Sequence, residues 1–199
     1  MSELAPGNTP LTEEEKRGLL LPVQTRDDLN RAEQDNILLA QRWVIGSRRR
    51  PRAVTRETWL VSLHKRMYEE VWAWAGRYRD TEKNIGVLPW EVRVYMRDLE
   101  ADADAWLANT SPTRYGNDEL AIRFGYRLVC IHPFPNGNGR WSRLASDALI
   151  LALGGYPFTW GGASLLTEHD ALRGDYIAAL QTADFDGDLR PLMTFARRA

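Results

Sequence analysis

Two arginines and a histidine surround a short loop rich in proline, glycine and asparagine. Residues of these types could bind a phosphate group and transfer a proton beside it. His132 precedes the loop, whereas Arg140 and Arg143 follow it, three residues apart. The segment reads Ile-His-Pro-Phe-Pro-Asn-Gly-Asn-Gly-Arg-Trp-Ser-Arg over residues 131–143. Prolines forbid the upstream helix from continuing, and a glycine pair follows the downstream one. The pattern therefore predicts a helix, a tight loop and a second helix.

The start of the second helix carries positive charge that would ordinarily destabilise it. Cations in a first turn oppose the helix dipole by about 0.3–1 kcal/mol each. A bound phosphate would remove this conflict, because helix N-termini and glycine-rich amides bind anions and arginine adds charge-assisted hydrogen bonds. The alternative is an ordinary helix in which Arg143 pairs with Asp147, one turn on, and Arg140 lies in solvent.

His132 stands at the entrance to this loop. An imidazole accepts a proton near neutral pH, so beside a phosphate site it could deprotonate a hydroxyl for in-line attack. The other two histidines of the chain, His64 and His169, lack such neighbours. We expect a structural role for His64 and none for His169.

Composition excludes several classes of protein. The 199 residues have a net charge of -1, which gives no general attraction to nucleic acids or membranes, and neither is expected as a partner. Cys130 stands alone, so no intramolecular disulfide can form. No leader-like segment and no apolar run of membrane length stand out. We expect a cytoplasmic location.

Helical periodicity dominates the sequence and predicts an all-α architecture with one short extended pair. Asn84, Gly86 and Pro89 interrupt the periodicity, so residues 81–90 are predicted to form a β-hairpin or, equally, an ordinary surface loop. The predicted helices cover residues 25–46, 55–75, 92–107, 120–130, 140–153, a stretch from Ser164 or Thr167 to about Ala183, and 188–198.

Glu33 lies at the edge of the apolar stripe of the helix that Thr25 is predicted to cap. It is one turn from both Leu29 and Ile37. A carboxylate that packs inward needs a cationic partner, because burying an unpaired charge is costly. The alternative is a solvated glutamate on the helix surface.

The loop resembles the Fic motif, HxFx(D/E)GNGRxxR, at every fixed position but one. Trp-Ala-Gly-Arg-Tyr-Arg at 74–79 is also similar to the end of an early Fic helix. Together they place about residues 55–185 in the Fic family, with a layout closest to the subgroup called mobile mystery protein B. The resemblance implies an orthogonal helical bundle with a β-hairpin flap. It divides the chain into an N-terminal extension, residues 1–54, and a Fic domain, residues 55–199.

The resemblance implies transfer of AMP from ATP to a Ser, Thr or Tyr hydroxyl of a target protein. In that family the motif histidine is the general base, the phenylalanine anchors the loop in the core, and the residues after it bind the phosphates. Carried over to this sequence, the roles fall to His132 as base, Phe134 as anchor, Gly137, Asn138, Gly139, Arg140 and Arg143 as phosphate ligands, and Tyr176 near the nucleotide.

Asn136 departs from the family pattern, which has Asp or Glu there to hold Mg²⁺. Asparagine keeps an oxygen ligand for Mg²⁺ or Mn²⁺ but loses the charge that hard cations favour. This leaves two alternatives to AMP transfer. One is a nucleotide-binding regulator with weak or no turnover, and the other is transfer of a different phosphate-linked group.

The resemblance also implies regulation and partners. Many Fic proteins carry an inhibitory helix with the pattern (S/T)xxxE(G/N), whose glutamate pairs with the second motif arginine. The candidate here is the helix at about 26–45, with Glu33 pairing with Arg143, although Leu29 and Gln34 depart from the pattern. A target protein would dock on the flap at 81–90 by strand addition. A second copy of the chain, or an antitoxin in a bacterial toxin–antitoxin system, are further candidate partners.

Overall fold

The computed structural model of the chain describes residues 10–47, 49–108, 115–162 and 170–198. Its regular elements are helices, apart from one isolated β-bridge between Leu19 and Trp72. His169 lies outside the described residues, and so do Ser164 and Thr167, the two predicted helix starts. The helices are α1 Glu13–Arg17, α2 Arg26–Gly46, α3 Pro51–Val54, α4 Glu57–Tyr68, a 3-10 helix Pro89–Glu91, α5 Val92–Leu107, α6 Asn117–Ile131, α7 Asn138–Ala152, α8 Asp170–Asp186 and α9 Arg190–Arg197.

The prediction of a β-hairpin at 81–90, here called the flap, was wrong. These residues form bends that lead into the 3-10 helix, and no strand occurs there. Backbone groups that a hairpin would pair with each other bond elsewhere instead. The Val87 N–H donates to Ile131 O at 3.3 Å, and Val87 O accepts from the Arg79 guanidinium.

The single helix predicted over 55–75 is also shorter in the structure. Within that range only α4, Glu57–Tyr68, is helical, and turns with the bridge residue Trp72 occupy residues 69–76. His64 explains part of the turn, because its Nδ1 accepts the Gly76 N–H at 3.0 Å and draws the chain back over α4. The N-terminal segment holds the turn from outside, since the Ala73 N–H donates to Gly18 O at 2.7 Å.

The helix start predicted at Thr25 is confirmed. Thr25 and Asp28 form a reciprocal capping box, in which each side chain accepts the backbone N–H of the other residue. The buried face of α2 consists of Glu33, Asn36, Ile37, Ala40 and Val44. This face packs on α4 and α7, so Glu33 points inward, as the edge of an apolar stripe permits.

The core surrounds α6 and α7, which pack on each other and place the loop between them inside the protein. Phe134 from the loop and Trp141 from α7 are fully buried there. The Trp141 indole N–H donates to Leu60 O at 2.9 Å, which ties α7 to α4. Among the described helices, none combines the length and the apolar character that crossing a membrane requires.

The N-terminal segment is joined to the flap by a buried ion pair. Glu15 Oε2 lies 2.6 Å from Lys83 Nζ, and the two side chains are only 9% and 2% exposed. The other Glu15 oxygen accepts the Thr81 hydroxyl at 2.9 Å, and Lys83 also donates to Pro10 O at 3.1 Å. The pair is therefore well satisfied, as buried charges must be.

Replacing Glu15 with glutamine is expected to lower the free energy of unfolding by about 3–5 kcal/mol, because it leaves the Lys83 ammonium buried without a counter-charge. Urea titration would measure the change. Glu13→Gln is the matched control, since Glu13 pairs with Lys16 on the surface and its loss should leave the urea midpoint nearly unchanged. Equal midpoints for the two variants would contradict the expectation.

Candidate active site

The loop between α6 and α7 is held by its own side chains. Asn138 binds Phe134 at both backbone groups, accepting its N–H at 3.0 Å and donating to its carbonyl at 2.8 Å. Phe134 stacks on the His64 ring, with centroids 3.7 Å apart. Phe134, to which the family resemblance gives the role of anchor, is thus held in the core by these contacts. The Asn138 side chain is occupied by the loop, so its predicted phosphate role falls to its backbone N–H and stays a prediction.

His64 is a structural histidine. Its Nδ1 accepts from Gly76, so Nε2 carries the proton and donates to Asn136 O at 3.1 Å. Burial lowers the pKa of His64 to about 3 and keeps the ring neutral. The side chain thus joins the turn after α4 to the loop before α7.

His132 is buried at the entrance to the loop. It ends α6 in the left-handed conformation, with φ 53° and ψ 58°. Its Nδ1 lies 3.3 Å from Val129 O, and a carbonyl can only accept, so Nδ1 carries the proton and Nε2 the lone pair. Burial, and to a smaller extent the charges of Arg79 and Lys83, lower its pKa to about 4. The imidazole is therefore neutral at physiological pH.

The start of α7 offers backbone N–H groups to an anion. Gly137 precedes the helix with φ 78°, and a Cβ there would lie 2.5 Å from the Tyr68 ring. The first-turn amides that follow, at Asn138 and Gly139, have no carbonyl acceptor within the helix. The position therefore demands glycine, both for its backbone conformation and for the close approach of the ring.

Arg143 has no ion-pair partner among the described residues. Its Nε donates to Gly139 O at 3.3 Å, its guanidinium lies 5.3 Å from the centre of the Tyr176 ring, and desolvation lowers its pKa. The alternative pairing with Asp147 is wrong, because Asp147 accepts the Phe158 N–H at 3.0 Å and the Trp160 indole at 3.2 Å. Arg143, the sixth residue of α7, is thus a desolvated cation one turn beyond the first-turn amides, an arrangement that can bind an anion.

Arg140 is the arginine that pairs with Glu33. Their Nη2 and Oε2 atoms are 2.8 Å apart, and the Trp72 indole donates to the other Glu33 oxygen at 2.7 Å. The structure thus replaces the predicted Glu33–Arg143 pair and also excludes an Arg140 in solvent. The reason is that Trp72 fixes the carboxylate beside the first turn of α7, whereas Arg143 lies against Tyr176 of α8.

Asn136 does not form a metal site with its neighbours. Its Oδ1 accepts the Gly137 N–H at 2.6 Å, so the predicted ligand atom already has a hydrogen bond. Across the described residues, no group of three or more His, Cys, Asp or Glu side chains could hold a metal ion. The residues present therefore do not fit a resident divalent cation.

The sequence did not predict a role in the site for three residues: Tyr68, Trp72 and Arg79. Tyr68 packs on Gly137, Trp72 orients Glu33, and Arg79 binds the carbonyl of His132 at 2.6 Å. A signal for Arg79 was present, since it ends the Trp-Ala-Gly-Arg-Tyr-Arg stretch. Its contacts with His132 and Pro133 span about fifty positions, however, and local spacing cannot reveal these.

The chain is similar to known proteins. Residues 54–150 match the model of the Fic/DOC family. A Nematostella vectensis protein named protein adenylyltransferase Fic is 32% identical over 143 residues, which cover 70% of this chain and 31% of that protein. Protein adenylyltransferase fic-1 of Caenorhabditis elegans is 33% identical over 124 residues, or 62% of this chain and 23% of that protein. The chain spans less than a third of the length of these relatives.

Solved structures share the fold. BepC from Bartonella tribocorum, with bound AMPPNP, superimposes with a TM-score of 0.69 at 16% identity and covers 94% of this chain and 97% of its own. A fragment of Fic-1 from Caenorhabditis elegans gives a TM-score of 0.62 at 24% identity, over 92% of this chain and 51% of its own. The family match, the relatives and the shared fold lead to one conclusion: the chain belongs to the Fic/DOC family, through the domain at residues 54–150.

Proposed function

We propose that this protein transfers AMP from ATP to a hydroxyl group of a protein target. The observation that carries the proposal is a buried, neutral His132, whose Nε2 holds the lone pair, together with the start of α7, where Arg143 has no carboxylate within ion-pair distance among the described residues. The names of the similar adenylyltransferases and the AMPPNP in the BepC structure support it.

In the proposed reaction the phosphates lie at the start of α7. The backbone amides of Asn138 and Gly139 and the guanidinium of Arg143 bind their oxygens. His132 Nε2 accepts the proton of the target hydroxyl while the hydroxyl oxygen attacks the α-phosphorus. The bond from this phosphorus to the bridging oxygen breaks, and pyrophosphate leaves with the electron pair. Tyr176, which contacts Arg143, would line the nucleotide side of the site.

Autoinhibition by the N-terminal extension is a second part of the proposal. Glu33 on α2 holds the Arg140 guanidinium, which in the proposed reaction would bind an outer phosphate. A carboxylate at this point competes with that phosphate for the same donor and repels its charge. The proposed inhibitory contact is thus Glu33 with Arg140, within the extension at 1–54.

The competing function is a nucleotide-binding regulator with weak or no turnover. It is favoured by Asn136, because Oδ1 bonds to Gly137 and no carboxylate stands at this position to hold a cation on the phosphates. Under this reading ATP would bind at α7 as proposed, and Mg²⁺ or Mn²⁺ would arrive only with the nucleotide.

Partners belong to the same proposal. The target would dock along the flap, where Ile85 and Trp90 are 40% and 73% exposed. Because the flap has no strand, pairing with the target would have to begin from the bends at 81–88. The mobile mystery protein B subgroup, an antitoxin partner and a cytoplasmic location stay predictions of the sequence.

Purified protein incubated with α-labelled ATP, Mg²⁺ or Mn²⁺, and a cell lysate would separate the two functions. Label that becomes acid-stable on a lysate protein supports transfer. ATP binding by calorimetry without any label, in either metal and also for Glu33→Gly, supports the regulator. Absence of both binding and label would contradict each of them.

Replacing Asn136 with aspartate is expected to tighten ATP binding in Mg²⁺ by about 10-fold or more, because a carboxylate is the ligand that hard cations favour. Calorimetry with and without Mg²⁺ would measure the change. Without the metal the added negative charge should weaken binding instead, so the sign must reverse between the two titrations. The control is Asn117→Asp, at the far end of α6, which should change neither titration. An ATP affinity that is the same with and without Mg²⁺, in both the wild type and Asn136→Asp, would contradict this expectation.

A further inference from the structure

Arg79 is a buried arginine that connects three separate parts of the backbone. The residue is only 3% exposed. Its Nε donates to His132 O at 2.6 Å, its Nη1 donates to Thr81 O at 3.0 Å, and its Nη2 donates to Val87 O. Its own N–H donates to Pro133 O at 2.9 Å. One side chain therefore joins the end of α6 to both halves of the flap.

The direct contacts of the Arg79 guanidinium are carbonyl oxygens, and the carboxylates of Glu82 and Glu15 act on its charge only from farther away. Within the described ranges no carboxylate lies at ion-pair distance from it, and desolvation lowers its pKa. Hydrogen bonds to a charged group contribute about 1.5–3 kcal/mol each, and a cation is favoured at a helix C-terminus such as that of α6. The three carbonyl contacts can therefore hold a cation in place without an acidic partner.

These contacts stabilise an unfavourable backbone conformation at His132. A residue other than glycine in the left-handed region costs about 1–3 kcal/mol and persists only where its surroundings enforce it. His132 has φ 53°, and its carbonyl and that of Pro133 both bond to Arg79. The direction in which the imidazole leaves the backbone thus depends on Arg79.

The flap packs closely against both His132 and Arg79 at Gly86. Gly86 has φ 99°, and a Cβ there would lie 2.5 Å from His132 Cβ, 3.0 Å from Arg79 Nη2 and 3.0 Å from Ile131 O. The absence of a side chain allows the flap to approach this closely. The distance between the flap and the histidine is therefore set where Arg79 binds both.

We propose that Arg79 is a positioning residue for the transfer reaction, which fixes the His132 backbone and the flap relative to each other and so sets the distance from the base to a docked hydroxyl. The inference rests on the proposed function. Arg79 does not contact the nucleotide in the proposed reaction, because the phosphates bind at the start of α7.

The first test compares Arg79→Lys with Arg77→Lys, an exposed arginine two residues earlier. Lysine keeps the charge but cannot reach three carbonyls in the fixed fork geometry of a guanidinium. We expect label transfer from ATP to lysate protein to fall at least about 50-fold in Arg79→Lys, because the base and the hydroxyl are no longer held in position. The ATP affinity measured by calorimetry should stay within about threefold of wild type, because the proposed phosphate contacts come from α7. Arg77→Lys should change neither. A transfer rate within threefold of wild type would overturn the proposal.

A second readout does not depend on activity. The Val87 N–H bonds to Ile131 O and the His132 N–H bonds to Leu128 O, so their hydrogen exchange reports on the flap and on the base. Both amides are expected to exchange at least 10-fold faster in Arg79→Lys, while Trp141 N–H on α7 keeps its rate. Wild-type rates at Val87 and His132, or equal acceleration at Trp141, would overturn the proposal. If wild-type protein transfers no label, the proposed function fails and exchange alone decides the role of Arg79.

Gly86→Ala provides a second variant, because it moves the flap and leaves the Arg79 residue itself unchanged, although the added methyl group would also lie 3.0 Å from Arg79 Nη2. The added methyl group must displace either the flap or His132. We expect the same loss of transfer with unchanged ATP affinity, and faster exchange at Val87 N–H. Full activity in Gly86→Ala would show that the distance between flap and base is not critical, and would overturn the proposal.

Discussion

Replacement of His132 is expected to lower the rate of AMP transfer by about 10²–10⁴-fold, the usual contribution of a general base. ATP affinity should change little, because the proposed phosphate contacts come from α7. Rates of label transfer and calorimetry on the same preparations would measure the two quantities. A variant that loses both in proportion would mean that the histidine supports the binding site rather than the chemistry.

The choice of substitution matters because His132 is in the left-handed conformation. Alanine is strained there, whereas asparagine tolerates it and still lacks a base. His132→Asn should therefore be as inactive as His132→Ala and more stable to heat. Substantial transfer by His132→Asn would place the base on another residue and contradict the assignment.

The pH dependence of transfer follows from the same residue. Burial lowers the pKa of His132 to about 4, and the neutral imidazole is the active form. The depressed pKa moves the acid limb of kcat/KM to lower pH, so the rate should be flat from about pH 5 to 8 and fall near pH 4. A fall centred near pH 6.5 would indicate an imidazole exposed to solvent.

Removal of the Glu33 carboxylate is expected to raise ATP affinity and transfer by about 10–100-fold. This range corresponds to the 1.5–3 kcal/mol of a charge-assisted hydrogen bond, which Arg140 would then form with a phosphate instead. Both Glu33→Gln and Glu33→Gly should be measured. Glycine also weakens α2 by about 1 kcal/mol, so the glutamine variant isolates the charge.

The matched control for Glu33 is Asp35→Asn on the same helix. Asp35 is exposed, whereas Glu33 is held between Trp72 and Arg140. If loss of charge on α2 acted only through the general field of the protein, both variants would shift affinity alike. Unchanged affinity and unchanged transfer in Glu33→Gln would eliminate the inhibitory role.

Much of the local structure could be predicted from the sequence because its causes are local. The capping box of Thr25 and Asp28, the extent of α5 and the hydrogen bonds between Phe134 and Asn138 depend on residues a few positions apart. The same holds for the helix–loop–helix around His132, where prolines and glycines leave the backbone few conformations.

The flap could not be predicted in this way. Its sequence alternates apolar and turn-forming residues, which favours a hairpin, but the two halves bond to Arg79 and to Ile131 rather than to each other. A hairpin of two strands is only marginally stable alone. A buried guanidinium that offers several donors can therefore bind the backbone carbonyls that would otherwise form the hydrogen bonds of the hairpin.

The sequence by itself predicted the residues of the candidate site: a histidine, a glycine-rich helix start and two arginines, placed together by a loop of few conformations. Tertiary structure alone decided which arginine Glu33 holds, because Trp72 fixes the carboxylate beside Arg140 while Asp147 bonds to the loop at Phe158 and Trp160. Both arginines have the same charge and lie one helical turn apart. Only the packing of α2 against α7 and the contact of Tyr176 with Arg143 distinguish them.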